Sequence, residues 1–168
     1  MNSMVSLSAK KVVCITGSLW THKHDAPRHL LVKEGFMRPR WFTTGRALHD
    51  ADYKAISKTS FQLAQAESSV LAFMKYGQVF TGILKDDFQK ALEESDSGVL
   101  VVGFPEVIAQ VAENYLQAKV FAFKPEGSDL SESLDPANKR GQLHRIDIDV
   151  LETGAWDEVM AEIKAAIT

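Results

Sequence analysis

The segment from Thr16 to His24 has the spacing of a phosphate-binding loop but only part of its chemistry. A loop of the form G-x-x-x-x-G-K-[ST] uses glycines to bring backbone N–H groups close to the phosphates, a lysine to neutralise them and a hydroxyl group to hold magnesium. Gly17 and Lys23 match this pattern, whereas His22 replaces the second glycine and His24 replaces the hydroxyl residue. The sequence therefore predicts a degenerate phosphate loop, with Gly17, Lys23 and His24 as candidate cofactor-binding residues.

The chain around this loop has the order of strand, loop and helix that a phosphate loop requires. Residues 11–16 form a β-branched run typical of a buried strand, and Pro27 suits the first turn of a helix predicted over 26–34. Trp20 stands inside the loop, where a phosphate site needs bare backbone. We therefore expect the Trp20 ring to fill the nucleotide pocket.

The histidines of the loop leave a second kind of chemistry open. His22 and His24 form a His-x-His pair, but two ligands on one loop do not make a metal site, so no metal is predicted. A hydrolase or lyase that uses these histidines with Asp25 as acid and base remains an alternative, because histidine titrates near neutral pH. Cys14 lies in the first predicted strand and is expected to be inert.

Length, composition and charge set the broad class. A chain of 168 residues with 45% hydrophobic content can bury one core, so a single domain over 1–168 is expected. No apolar run approaches the roughly 20 residues that span a bilayer, and residues 1–10 lack the apolar stretch of a secretory signal. A net charge of −3 gives no general attraction for DNA. We expect a soluble, cytoplasmic protein with neither a DNA nor a membrane partner; its oligomeric state stays open.

The order of apolar runs predicts the fold class. Strand-like runs alternate with helical patterns, which is typical of an α/β fold: a three-layer parallel sheet with helices on both faces. The predicted strands are 11–16, 98–104, 118–124 and 144–150, and the predicted helices are 26–34, 85–95, 105–116 and 155–167.

The middle of the chain has a different pattern. Residues 37–84 contain short alternating runs around a helix predicted near 58–67, which indicates a small inserted mixed sheet. Residues 125–141 are polar and are predicted to form a surface loop.

The order of short motifs in this segment and beyond resembles that of the guanylate kinases. In that family T-T-R-x-x-R is followed by G-x-D-Y, F-L-E-W, G-N-Y-Y-G-[ST] and a strand that ends in D-I-D-x-Q-G. The corresponding segments of this chain are 42–46, 50–53, 70–73, 77–82 and 99–105. The resemblance implies a core similar to that of P-loop kinases, with the nucleoside monophosphate subdomain at about 37–84.

The resemblance also implies that the phosphate contacts of the monophosphate site are mostly lost. Two arginines clamp the monophosphate in the family, where a bidentate donor suits phosphate geometry, and their positions here hold Gly45 and Leu48. Arg46 lies one residue away and is a partial substitute, and the family's tyrosine is retained as Tyr53. Arg46 and Tyr53 are therefore the candidate substrate-binding residues.

The remaining polar positions of the family are replaced as well. The glutamate that reads guanine falls at Ala72, the phosphate-binding tyrosine at Thr81 and the hydroxyl residue that contacts the base at Ile83. The carboxylates expected after the next strand fall at Val102 and Phe104. The resemblance is thus to a family most of whose catalytic and substrate-binding groups this chain does not retain.

These observations predict a pseudo-enzyme: a catalytically degenerate guanylate kinase-like protein with a binding or scaffold role. Its partner would be a protein or a small anionic ligand bound in the cleft between core and subdomain, and no cofactor is expected. The alternative is an atypical ATP-dependent nucleotide or small-molecule kinase that uses Lys23 and Arg46 on phosphates, with ATP and magnesium as its cofactors.

Overall fold

A computed structural model of the protein describes residues 10–17, 34–46, 53–125, 131–148 and 155–167, with side chains for 10–16, 34–46, 53–123, 131–146 and 161–167. The phosphate loop beyond Gly17 and most of the helix predicted over 26–34 lie outside the described residues. Within the described parts of the chain, no helix is long and apolar enough to span a bilayer.

The described elements follow one another as β1 (Lys11–Gly17), β2 (Phe36–Met37), β3 (Trp41–Thr43), β4 (Tyr53–Ala55), α1 (Lys58–Ala66), β5 (Val70–Tyr76), β6 (Val79–Leu84), α2 (Lys85–Glu94), β7 (Gly98–Val102), α3 (Pro105–Asn114), β8 (Lys119–Pro125), a 3-10 turn (Glu132–Leu134), α4 (Asp135–Lys139), β9 (Leu143–Ile148) and α5 (Ala155–Ile167).

The larger of two sheets has five parallel strands in the order β2-β7-β1-β8-β9. Parallel strands are normally covered on both faces and are rich in β-branched residues, as β1 and β7 are here. Along β1, Val12 and Cys14 point into a core cluster shared with α2 and α3, whereas Val13 and Ile15 point into a second cluster that contains Ile163 of α5. The predicted three-layer α/β architecture is confirmed.

The smaller sheet has four strands in the order β4-β3-β6-β5, with β3 and β4 parallel and the other pairs antiparallel. Its strands run from Trp41 to Leu84. Helix α1 covers its outer face through Phe61, whose ring is 4.6 Å from that of Phe80 and 5.4 Å from those of Phe42 and Phe73. Aromatic rings therefore supply the core of this face.

Two parts of the described architecture differ from the sequence prediction. Strand β2 at the edge of the large sheet was not predicted, because two residues are too few to show a pattern. The segment 125–141, predicted to be a surface loop, contains the 3-10 turn and α4. Leu134 and Ala137 of these short elements are buried in the first core cluster. The sequence does not show this contribution because the neighbouring residues are polar.

The carboxyl end of α3 is capped by a residue from much later in the chain. The amide nitrogen Nε2 of Gln142 donates to the carbonyl oxygens of Ala112 and Tyr115 at 3.0 and 3.1 Å. Its oxygen Oε1 accepts a hydrogen bond from Nε of Arg140 at 2.7 Å. Gln142 is buried, and these bonds satisfy both ends of its amide.

Candidate functional site

The carboxyl ends of β1 and β7 mark the point at which the order of strands reverses. After β1, the next strand of this sheet along the chain is β2, which lies on the β7 side of β1. After β7, the chain passes through α3 to β8, which lies on the opposite side of β1. Ligands of open α/β sheets bind in the crevice at such a point. Gly103 follows β7 directly, and its N–H donates to the carbonyl oxygen of Ile15 at 3.1 Å. Gly103 therefore lies at the mouth of this crevice.

One of the three predicted phosphate-loop residues can be placed. Gly17 is the last residue of β1 and pairs with Phe123 of β8, which puts its backbone at the carboxyl end of the central strand. Lys23 and His24 lie outside the described residues, and so does Trp20. Their assignment to a phosphate loop stays a prediction from the sequence.

Thr16, directly before Gly17, carries a buried hydroxyl group. The residue is 1% exposed, and its Oγ1 has no hydrogen-bond partner among the residues that the structure describes. Side chains alternate along a strand, so Thr16 lies on the same face of β1 as Val12 and Cys14. That face belongs to the first core cluster.

Trp41 of β3 lies against the mouth of the crevice. It is 9% exposed and belongs to the first core cluster. A Cβ atom added to Gly103 would lie 2.8 Å from Cη2 and 3.2 Å from Cζ2 of Trp41, so the edge of the indole lies directly on the backbone after β7. The next residue, Phe104, is 54% exposed. Phe104 stands at one of the two positions where the family resemblance implies a carboxylate, and Trp41 lies against the residue before it.

The two threonines before Arg46 hold a turn of the backbone. Thr43 Oγ1 accepts from the N–H of Gly45 at 3.1 Å, and Thr44 Oγ1 accepts from the N–H of Phe80 at 2.9 Å. A Cβ atom on Gly45 would lie 3.0 and 3.2 Å from the two methyl groups of Val79, so the position of the family's first arginine is crowded. Arg46 leaves this turn as an exposed residue.

The strand register does not bring the two predicted substrate-binding residues together. Tyr53 begins β4 level with Trp41, and its half-buried ring lies 6.2 Å from the indole at an angle of 49°. Arg46 lies three residues beyond Thr43, past the opposite end of the β3–β4 pair. Tyr53 thus packs beside Trp41, while Arg46 is at the rim of the small sheet.

The inner face of the small sheet is apolar at the positions where the family binds the base. Ala72 and Ile83 are fully buried in the first core cluster together with Val101 and Ile108. Thr81, at the position of the family's phosphate-binding tyrosine, donates from Oγ1 to the carbonyl oxygen of Phe42 at 2.9 Å. These side chains contribute to packing and to backbone hydrogen bonding.

Two polar contacts attach the small sheet to the core. The side-chain amide of Gln110 on α3 accepts from the N–H of Phe73 at 3.1 Å and donates to its carbonyl oxygen at 2.7 Å. Nζ of Lys54 on β4 forms an ion pair with Oδ2 of Asp87 at 2.8 Å, and Asp87 lies in the first turn of α2. Together with the shared apolar cluster, these contacts fix the small sheet over the crevice.

Among the described residues, the titratable side chains of Cys14 and His144 are not part of this site. Burial raises the pKa of the Cys14 thiol to about 12, so the thiol stays protonated and inert, as predicted. The ring of His144 stacks on Phe121 at 5.1 Å, and Phe121 belongs to the second core cluster on the other face of the sheet. Within the described parts of the chain, no group of three or more His, Cys, Asp or Glu residues could hold a metal ion.

Comparison with known proteins identifies the fold. No protein-family model matches the chain, and no curated protein sequence matches it. Among solved structures it is similar to the guanylate kinase from Anaplasma phagocytophilum, with a TM-score of 0.60 and 12% sequence identity, over 95% of this chain and 87% of that chain. The chain therefore has a guanylate kinase-like α/β fold.

Sequence reasoning did not predict the contact between Trp41 and Gly103. The available signal was weak: an aromatic residue in a short strand is more often part of a core than of a site. Contact with Gly103, some 60 residues later, is a long-range feature that no local pattern shows.

Proposed function

We propose that this chain is a catalytically degenerate guanylate kinase-like protein whose fold serves as a binding scaffold. The observation that carries the proposal is the apolar inner face of the small sheet, where Ala72 and Ile83 are fully buried and Trp41 covers Gly103. Phosphoryl transfer depends on positioning and on cations that neutralise developing charge. A charged monophosphate placed against this face would lose its hydration without gaining partners.

The rim of the cleft is the part of the scaffold that we assign to binding. Arg46 is exposed there, next to the turn that Thr43 and Thr44 hold. A guanidinium group suits a phosphate or carboxylate on a small anionic ligand or a protein partner, because it donates in a bidentate manner. Lys23, on the predicted phosphate loop, is the second cation of this proposal.

A thermal-shift titration of the purified protein tests the proposal. The ligands are ATP, GTP, GMP, dGMP and inorganic phosphate, each with and without magnesium. A ligand at about 100 times its dissociation constant should stabilise the fold by roughly 2.7 kcal/mol, which is readily measured. We expect no magnesium-dependent shift with a triphosphate.

Lys23→Ala and Arg46→Ala separate the two functions that the sequence leaves open. A triphosphate shift that requires magnesium and is lost in Lys23→Ala, together with phosphate transfer, would replace the scaffold by the atypical kinase. A magnesium-independent shift with phosphate that is lost in Arg46→Ala supports anion binding at the rim. The controls are the unaltered protein and a Lys85→Ala variant, in which an exposed lysine of α2 is replaced.

A further inference from the structure

We propose that strand β9, at the edge of the large sheet, pairs in antiparallel orientation with β9 of a second copy of this chain. The resulting symmetric dimer joins the two large sheets into one. An edge strand makes this possible because its backbone N–H and carbonyl groups on one side are open to another strand. The inference does not rest on the proposed function, because β9 lies two strands away from β1 and the crevice.

Among the edge strands that the structure describes, β9 has the longest open run of backbone. It has six residues and pairs with β8, whereas the opposite edge strand of this sheet, β2, has two. In the small sheet, β4 has three residues. The edge of β5 is covered where the side-chain amide of Gln110 bonds both the N–H and the carbonyl oxygen of Phe73. Strand β9 is therefore the described edge best suited to pairing with another strand.

The ladder with β8 fixes which backbone groups of β9 face the open edge. The N–H of Val120 in β8 donates to the carbonyl oxygen of Gln142 at 2.9 Å. Every second residue of a strand bonds to the same neighbouring strand, so the even-numbered residues of β9 continue this ladder. The N–H and carbonyl groups of the odd-numbered residues face the open edge: Leu143, Arg145 and Asp147.

The charges along β9 select one register for this pairing. In an antiparallel pair, two residues that face each other's strand stand opposite and exchange both hydrogen bonds. A two-fold axis at Arg145 or at Asp147 places that residue opposite its own copy, and an axis at His144 places Arg145 opposite Leu143. An axis at Ile146 places Arg145 of each copy opposite Asp147 of the other. Opposite charges in facing positions stabilise a strand pair, whereas like charges destabilise it.

The surroundings of Arg145 and Ile146 fit this register. Arg145 is exposed and makes no ion pair with any residue that the structure describes. Ile146 lies on the opposite face of the strand, where it is buried in the second core cluster. On the two-fold axis it would stand opposite its own copy, so the apolar layer of one protomer would continue into that of the other.

Charged residues on an edge strand often prevent pairing, but only when they repel the strand that approaches. In β9, a cation and an acid stand two residues apart, so an antiparallel copy of the same strand presents the complementary order. A single pair of strands buries little surface. We therefore expect a reversible dimer at the weak end of specific protein interfaces.

The test reverses the charges of β9 in the full chain. In Arg145→Asp both positions are acidic and in Asp147→Arg both are basic, so neither variant matches its own copy. An equimolar mixture of the two variants restores the opposite charges, and so does the chain that carries both substitutions. Lys90→Asp, at an exposed lysine of α2, changes the net charge equally and is the matched control. Sedimentation velocity over a range of concentrations gives the dissociation constants.

We expect the unaltered protein and Lys90→Asp to dimerise equally, and each single variant of β9 to dimerise about tenfold or more weakly. The mixture and the doubly substituted chain should recover the affinity of the unaltered protein to within about threefold. An unaltered protein that stays monomeric up to about 0.5 mM would overturn the proposal. Single variants that dimerise normally, or a mixture that does not recover, would overturn it too.

Hydrogen exchange of the unaltered protein tests the same register without a substitution, and it decides the matter if a variant does not fold. The N–H groups of Arg145 and Asp147 would donate across the interface, so their exchange should slow between about 10 µM and 1 mM protein. The N–H groups of β1, in the middle of the sheet, should exchange at the same rate at both concentrations. Exchange at Arg145 and Asp147 that does not depend on concentration would contradict the proposal.

Discussion

The two sheets of this protein are stabilised in different ways. In the large sheet, the β-branched strands β1 and β7 are covered on both faces, by α2 and α3 on one face and by α5 on the other. In the small sheet, the outer face depends on one buried ring of one helix, Phe61, and the inner face on contact with the core. The large sheet is thus buried between two layers of helices, whereas the small sheet has one helix on its outer face and packs on the core with its inner face.

This difference bears directly on function. A subdomain that binds a charged substrate needs a polar inner face that is free to meet the ligand. Here Ala72, Ile83 and Trp41 make that face part of the same apolar cluster as Val101 of the large sheet. The small sheet therefore extends the core at the place where the resemblance implies a substrate cleft.

The largest expected effects come from adding one methyl group to each sheet. In Gly82→Ala the new Cβ would collide with the carbonyl oxygen of Ala72, and in Gly98→Ala with that of Lys11. Backbone cannot move away as a side chain can, so each variant should lose about 3 kcal/mol or more of the free energy of unfolding in urea. Gly77→Ala meets nothing within 4 Å but has φ of +62°, and should lose about 1 kcal/mol. If Gly82→Ala were no less stable than Gly77→Ala, strands β5 and β6 of the small sheet could move apart at little cost in free energy.

Phe61→Ala should separate the stabilities of the two sheets. Truncation of a buried phenylalanine costs about 3–5 kcal/mol, and Phe61 contacts three rings of the small sheet. Hydrogen exchange should accelerate in 53–84 while β1 and β7 stay protected. Equal acceleration in both sheets would mean that they unfold as one unit.

Gln110→Leu tests the attachment of β5 to α3. It leaves the N–H and carbonyl oxygen of Phe73 without their partners, at a cost of about 1–3 kcal/mol by chemical denaturation. Gln110→Glu keeps the acceptor but sets a carboxylate oxygen against the carbonyl oxygen of Phe73, so its loss should be at least as large. Equal stability of Gln110→Leu and the unaltered protein would show that this attachment contributes nothing.

Because of Cys14, the stability of the protein should depend on pH in the alkaline range. Burial raises the pKa of its thiol from 9.0 to about 12, so the folded thiol keeps its proton while the unfolded thiol loses it above pH 9. The unfolded state then binds fewer protons, and stability falls as pH rises, by about 1.4 kcal/mol between pH 9 and 10 at most. In Cys14→Ala this part of the slope should be absent. An unchanged slope would mean that another group causes it.

Lys54→Met should have the smallest effect. The Lys54–Asp87 pair is partly exposed, with side-chain exposures of 32% and 18%, so its contribution should be about 0.5–1 kcal/mol and should shrink at high salt. A loss that does not depend on salt would indicate packing of the lysine stem instead.

The large sheet could be predicted from local patterns because its strands are short β-branched runs between amphipathic helices. Strands β1, β7, β8 and β9 and helices α2, α3 and α5 fall where the sequence places them, within about two residues at each end. Strand β2 could not be predicted, since Phe36 and Met37 gain their partner only from β7. The helical turn around Leu134 was hidden because one buried leucine among polar residues shows no period.

The candidate site was less predictable than the fold. The order of motifs correctly implied a guanylate kinase-like fold, and it indicated that Ala72 and Ile83 replace polar groups. The packing of Trp41 on Gly103 depends on the contact between two sheets, and the grouping of Arg46 and Tyr53 depends on register. Pairing and register are set by distant residues, so a sequence read one segment at a time does not contain them.

The cap that Gln142 provides has a consequence for synthesis on the ribosome. Helix α3 is complete at Asn114, but the amide that satisfies the Ala112 carbonyl comes 30 residues later. At about 5–20 residues per second, the end of this helix is translated about 2–6 seconds before its cap. During that interval the carbonyl groups at the end of α3 must hydrogen-bond to water or to a chaperone. The end of this helix therefore becomes fully ordered only after Gln142 has emerged from the ribosome.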